Sequence, residues 1–424
     1  MIAMLGRLVG GCLGICVLVC AQPAPPEGLL TRIKARVDEN LKRMPDYTCM
    51  QVVERAWRDS PKAQFKVNDT LRLEVGLVNG KERFSWLDAK QFEDKNLADM
   101  IGAGATGTGS FALHAGSVFK PRVADFTYQG EETWDGRGVI RYDYEVPLER
   151  SGYRLRVSSQ EALVPFRGSF WVDKETFDMI RLEVNADDIP PALGLAQASD
   201  MVNYKRVEMG GGEFLLPESA ELIMEDSLGG GVRNRTRYSR CRQFQAESTL
   251  SFAGETKEPA LVQRKDLPRL PGRLTMELSL DSEIIPETAA IGDPVRAVLE
   301  KPLKDGDRTV ALRGAVVQGR VMRVEKEALP YPHYVVALQF HALELEAGAA
   351  PFSATMEDAG PAAGLLRETK SMDPVFTKRR VARMDILVRE TPRGQGVLHW
   401  EARRPRIPRG LRMRWETDPE SRQP

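Results

Sequence analysis

Histidine is scarce in this chain, with 4 in 424 residues, and so is cysteine, with 5, three of them within the first twenty positions. So few ligands of these two types leave little material for a zinc or iron site built on clustered His and Cys. Neither sign of charge is in excess: 60 Lys and Arg stand against 60 Asp and Glu. No global field therefore draws the protein to nucleic acid or to an anionic membrane. Aromatic residues are only 7% of the total. Beyond the first twenty residues no apolar run approaches the roughly 20 residues that a spanning helix needs. The recurring catalytic signatures GxSxG and HExxH are missing, as is a calcium-loop pattern. With 42% hydrophobic and 28% charged residues, the remainder is a folded protein of two or three domains.

What is present begins with an address. Arg7 precedes an apolar run from Leu8 to Val19, which breaks at Cys20-Ala21-Gln22-Pro23. This is the layout of a secretory signal peptide spanning 1–21, with Val19 and Ala21 in the peptidase subsites and cleavage before Gln22. The expected location is the periplasm or cell envelope. A lipid-anchored form starting at Cys20 is the competing reading, although Val19 stands where lipoprotein processing takes a small residue. Removing the leader leaves Cys49 and Cys241, and a lone pair in an oxidising compartment predicts one disulfide.

Periodicity then sets the architecture. Leu30, Ile33, Val37, Leu41 and Met44 recur at helical spacing and Pro45 stops them. Leu71, Leu73, Val75 and Leu77 alternate with polar residues up to Asn79-Gly80, a type I′ hairpin that sets Val75 opposite Phe84 and Leu73 opposite Trp86. The same half-buried alternation runs through Ile140 to Val146, Tyr153 to Val157 and Ile180 to Val184. The expected fold is mainly β with an N-terminal helix: a curved antiparallel sheet, or half-barrel, over 22–246, a linker over 247–272, a small β-barrel or sandwich over 273–417, and a loose tail over 418–424.

Together, Pro45-Asp46-Tyr47-Thr48-Cys49, the hairpin, Gly168-Ser169-Phe170-Trp171-Val172-Asp173 and Tyr238-Ser239-Arg240-Cys241-Arg242 resemble an uncharacterised group of secreted bacterial proteins. The order of helix then curved sheet is similar to the LolA and RseB type of half-barrel, which implies a site for lipids or lipoprotein acyl chains. No ligand-contacting residue of those carriers maps onto a position here. The run Ala290-Ile291-Gly292-Asp293-Pro294-Val295, followed by Arg313 to Val321, is similar to the C-terminal β-barrel of TrbI-type conjugation proteins and implies a shared barrel.

Local patterns that suggest chemistry weigh little. Gly102 to Gly107 spells GxGxxG, but the stretch before it reads as helix rather than strand, so a cover loop is the better reading. Ser117-Val118-Phe119-Lys120 spells SxxK without the Lys-Thr-Gly or Ser-Asp-Asn that complete such a site, and a hydrolase survives only through Ser117 and His114. His333 and His341 lie about 26 Å apart along one strand, too far to share a metal. No catalytic residue, metal or cofactor is expected, and no nucleic-acid partner. The predicted ligand site is the inner face of the N-terminal sheet, carrying Leu73, Val75, Phe84, Trp86, Tyr142 and Leu182, beneath Gly102 to Gly109. Two readings stay open: a non-enzymatic envelope protein that binds a lipid or lipidated partner there, and a structural or assembly module of an envelope complex, with a protein partner and no small-molecule ligand.

Overall fold

The computed structural model describes residues 24–87, 97–101, 113–157, 160–243, 268–328, 331–366 and 392–419, with 89, 92, 368–369 and 386–387 between them. The predicted leader, most of the linker and the Gly102 to Gly109 segment lie outside the described residues.

Helix α1, Leu29–Arg43, opens the described chain and buries Leu29, Ile33 and Val37 along one stripe. Two short helices follow, α2 (Leu97–Ile101) and α3 (Leu113–Val118). The strands of this first unit are β1 (Tyr47–Arg58), β2 (Lys66–Val78), β3 (Lys81–Ser85), β4 (Asp125–Trp134), β5 (Arg137–Val146), β6 (Arg154–Val157), β7 (Gln160–Leu163), β8 (Phe166–Asp173), β9 (Met179–Ala186), β10 (Leu195–Met209), β11 (Gly212–Asp226) and β12 (Gly231–Gln243). Ten of them form one curled antiparallel sheet in the order β3-β2-β1-β12-β11-β10-β9-β8-β5-β4. The hairpin register is as the alternation predicts: Val78 faces Lys81 and Val75 faces Phe84. The stretch from Tyr153 to Val157 departs from expectation. Among the described residues its strand β6 pairs with β7 alone, Val157 opposite Gln160 and Arg156 opposite Glu161, and does not join the ten-stranded sheet.

The chain ends of the sheet are tied together. β1 pairs with β12 along nearly its whole length, and a disulfide joins Cys49 to Cys241 across a sequence separation of 192. In the chain-entropy model a closure of that length is worth roughly 5 kcal/mol. At Gly168 a side chain is excluded by close approach: a Cβ there would run into the Glu183 carbonyl and the Tyr144 hydroxyl. Glycine thus leaves a path across β8 for the Tyr144 phenol, which donates to the Glu183 carbonyl at 2.7 Å. On the helix side, Asp178 accepts from Arg36 Nε (2.9 Å), Asn40 Nδ2 (3.1 Å) and Arg206 Nε (2.7 Å), fastening α1 to the sheet. Burial alone would raise the Asp178 pKa, yet these donors hold it below the ordinary value.

A second unit follows, with β13 (Thr275–Leu280), β14 (Pro294–Leu299), β15 (Leu303–Asp305), β16 (Arg308–Ala311), β17 (Val316–Glu327), β18 (His333–Leu345), β19 (Gly348–Pro351), β20 (Ala354–Ala359), β21 (Glu368–Thr369), β22 (Ile386–Leu387), β23 (Gly396–Glu401) and β24 (Arg412–Thr417). Its main sheet runs β19-β18-β17-β14-β13-β24-β20, and β23 also pairs with β18. Met356 N–H of β20 donates to the carbonyl of Gln395, the residue before β23, so the two ends of the sheet are drawn together into a barrel. Phe340, Trp400 and Trp415 are fully buried at its centre.

The units meet along β2. Beyond the reach of β3, the free edge at Leu71 forms a parallel bridge with Ile291. Arg72 N–H donates to the Ile291 carbonyl and Ile291 N–H to the Thr70 carbonyl, both at 2.8 Å. The Ile291 side chain is buried in the core of the first unit among Leu71, Leu73 and Trp86.

Candidate functional site

All six residues predicted to line the inner face are buried, and they divide between two cores. Leu73, Val75, Phe84 and Trp86 pack with Leu97 and Met100 of α2 and with Ile291. Tyr142 and Leu182 pack with α1, α3 and Phe170. The glycine-rich segment expected above them is outside the described residues.

The inner face also carries a polar row, whose members hold inward positions in their strands. Strand register places Asp69, Arg55, Asn234, Leu222, Asp200 and Val184 side by side across six neighbouring strands. Four of the six are polar, and each of those four is buried. Arg55 meets Asp69 through two parallel contacts, Nε to Oδ1 and Nη2 to Oδ2, each 2.6 Å. Such a bidentate pair satisfies both groups in a medium where either alone would be costly. At the other end of the row, His114 Nε2 lies 2.8 Å from Asp200 Oδ2, reaching down from α3 onto β10. Burial pushes the His114 pKa down, but the hydrogen bond to Asp200, its negative charge and that of Glu82 outweigh this and leave it raised.

Tyrosines surround the row. Tyr153 stands edge-on to the His114 ring at 5.8 Å. Burial first, then the charge of Asp200, raises the pKa of Tyr153; burial, Asp200 and Glu82 do the same for Tyr204. Burial followed by Glu82 and Asp200 acts on Tyr238. These phenols stay protonated across the physiological range. The interior therefore places fixed dipoles and paired charges beside apolar walls.

A cleft of about 480 Å³ leads toward this region between α3 and the segment 150–154, lined by His114, Ser117, Lys120, Val123, Tyr153 and Phe166, with Arg150 and Arg154 at its edge. Arg150 is held by Asp125 and Arg154 by Glu161. The two residues of the hydrolase reading, Ser117 and His114, line it together. Ser117 Oγ donates to the His114 backbone carbonyl at 2.8 Å, however, and the His114 ring engages Asp200. A nucleophile needs its hydroxyl directed at a base, and here the hydroxyl is directed at its own helix. Lys120 is exposed.

Elsewhere, His333 stands at the start of β18 and meets His399 of β23, with ring centroids 5.4 Å apart, rather than His341 on its own strand. Among the described residues no three His, Cys, Asp or Glu side chains are grouped to hold a metal ion. Near the C-terminus, Arg406 pairs with Glu283 and Arg409 with Asp281.

No protein-family model matches the chain, and no curated protein matches it. Among solved structures, it is similar to a LolA superfamily protein from Nitrosomonas europaea, at 12% identity over 51% of this chain and 94% of that one, with a TM-score of 0.26. A DUF1329 family protein from Desulfovibrio piger matches at 12% identity, 52% and 92% coverage and a TM-score of 0.28. A domain from Vibrio parahaemolyticus, described as a candidate outer membrane lipoprotein-sorting protein, matches at 14% identity, 52% and 92% coverage and a TM-score of 0.27. Likenesses this distant assign neither a ligand nor a partner.

Proposed function

We propose that the first unit is a non-catalytic binding module of the cell envelope that holds a lipid or a lipidated partner. The observation that carries this reading is the cleft between α3 and 150–154: apolar walls at Val123, Tyr153 and Phe166, cations at its mouth, and the buried His114–Asp200 pair at its inner end. An acyl chain entering there would pass toward Tyr142 and Leu182, while an anionic headgroup would stay near Lys120. In this reading Leu73, Val75, Phe84 and Trp86, packed beneath α2 in the neighbouring core, belong to the same ligand face.

Titration with a fluorescent fatty acid tests this. Saturable binding is expected, weakened by Lys120→Glu at the mouth and by Gly152→Trp, which fills the cleft; neither position is part of a core. Binding that survives both changes would place the ligand elsewhere. Absence of saturable binding would favour the second reading, an assembly module. That reading is supported by the close packing of all six inner-face residues and by the insertion of Ile291 from the barrel.

A further inference from the structure

The two rims of the half-barrel are built differently. At one rim, β2–β3, β4–β5 and β10–β11 are joined by the two-residue turns Asn79-Gly80, Asp135-Gly136 and Gly210-Gly211, and β8–β9 by residues 174–178. At the other rim the antiparallel order brings together the connections 59–65, 147–165, 187–194 and 227–230. Six large apolar side chains are exposed among the described residues, and five of them lie at this second rim: Trp57, Val67, Leu148, Leu163 and Leu228, with exposures between 39% and 86%. Random placement would not gather them at one end. The sixth, Leu312, belongs to the barrel.

We propose that this rim docks on a lipid bilayer surface, inserting its apolar tips into the headgroup region. The five side chains stand on the β1–β2 hairpin, the 147–165 connection and the β11–β12 turn, three segments that reach the same rim. A bilayer interface accepts apolar insertions from separate segments without the matched surface that a protein partner requires. Trp57 carries the Lys66 ammonium over its ring at 5.4 Å, an apolar body with a polar tip of the kind that settles at a membrane boundary. Two of the loops support one another: Gly229 lies against Pro61, which holds Leu228 beside the hairpin tip. Four of the rim's arginines are already paired, Arg58 with Glu225, Arg150 with Asp125, Arg154 with Glu161 and Arg167 with Asp187. Insertion rather than charge therefore drives the docking. The cleft beside α3 opens at the same rim, because Val123 precedes β4 and Phe166 begins β8 there.

Sedimentation of the full exported chain with vesicles of phosphatidylethanolamine and phosphatidylglycerol tests the proposal. The protein is expected to sediment with the vesicles, with little change between low and high salt. The double variant Trp57→Ser with Leu228→Ser should lose about tenfold or more in partitioning, since it removes two of the exposed apolar side chains of this rim. Both positions are exposed, so an unchanged melting temperature will show that the variant is folded, and Leu312→Ser should bind as the unchanged chain does. No sedimentation would overturn the proposal and leave the rim as a protein-docking surface. Equal binding by the double variant, or binding abolished by salt alone, would overturn it as well. Fatty-acid titration of the same variants keeps this result separate from the occupancy of the cleft.

Discussion

Asp69 stands in the sequence between Asn68 and Thr70, just before the alternating run that opens at Leu71, and nothing in its neighbours marks it. Its phase does: it lies two residues from Leu71 and four from Leu73 on the buried face of β2, where a carboxylate is tolerated only with a partner. Arg55 has the same phase on β1 relative to Val53, and Asp200 on β10 relative to Ala198 and Val202. A polar residue in an inward position was thus a legible signal of a buried polar row. Which partner each one takes was not legible, because that depends on a strand order in which β1 pairs with β12 across most of the unit. Asp69→Ala should destabilise the first unit by about 3 kcal/mol, because the buried Arg55 guanidinium loses its two-point carboxylate partner. Replacing both residues with leucine should recover much of that loss. Denaturant unfolding of the three variants checks this, and a single variant no less stable than the double one would show that Arg55 finds other compensation.

At the scale of elements, local patterns predicted α1, the β2–β3 hairpin and the inward faces of β5 and β9, since each is decided within about ten residues. The pairing of β18 with β23 was hidden, because it rests on which strand comes to lie beside which; β6–β7 is local, but the alternation of Tyr153 to Val157 reads the same in a two-stranded hairpin as in a large sheet. The β18–β23 pairing joins His333 to His399 across more than sixty residues. Burial first, then the neighbouring His333 and the charge of Arg323, lower the His399 pKa to about 4. Between the unfolded value near 6.5 and this folded value, the unfolded chain binds a proton that the folded barrel refuses. Stability is therefore complete above about pH 6.5 and is lost as the pH falls toward 4, by up to about 3 kcal/mol. Melting of the barrel followed from pH 7.5 to pH 4 should show this decline, and His399→Gln should flatten it. An unchanged slope in that variant would assign the acid sensitivity to other groups.

At the scale of the whole molecule, two units with separate cores behave as one body only as far as their junction allows. Here the junction is a short strand-like contact rather than a broad face. Ile291 adds a parallel bridge to the open edge of β2 and buries its side chain in the neighbouring core; Arg72 pairs with Asp293; and the Arg320 guanidinium lies over the Trp86 ring at 4.9 Å. Gly292 makes the approach possible, for its φ of 97° is left-handed and a Cβ would collide with the Arg72 carbonyl and the Trp86 ring. The Ala290 to Val295 run that reads in sequence as a barrel signature is thus also a coupling element. Trp86, read as part of a ligand-binding face, forms one wall of the coupling. Ile291→Asp would bury an unpaired carboxylate at this point, and Gly292→Val would force the two backbones apart. The unchanged chain should unfold in one cooperative calorimetric transition, and either variant in two, with the first unit melting earlier because Leu71, Leu73 and Trp86 lose their cover. If both variants keep a single transition at an unchanged temperature, the joint contributes nothing to cooperativity, and the barrel is a passenger on the half-barrel rather than part of its core.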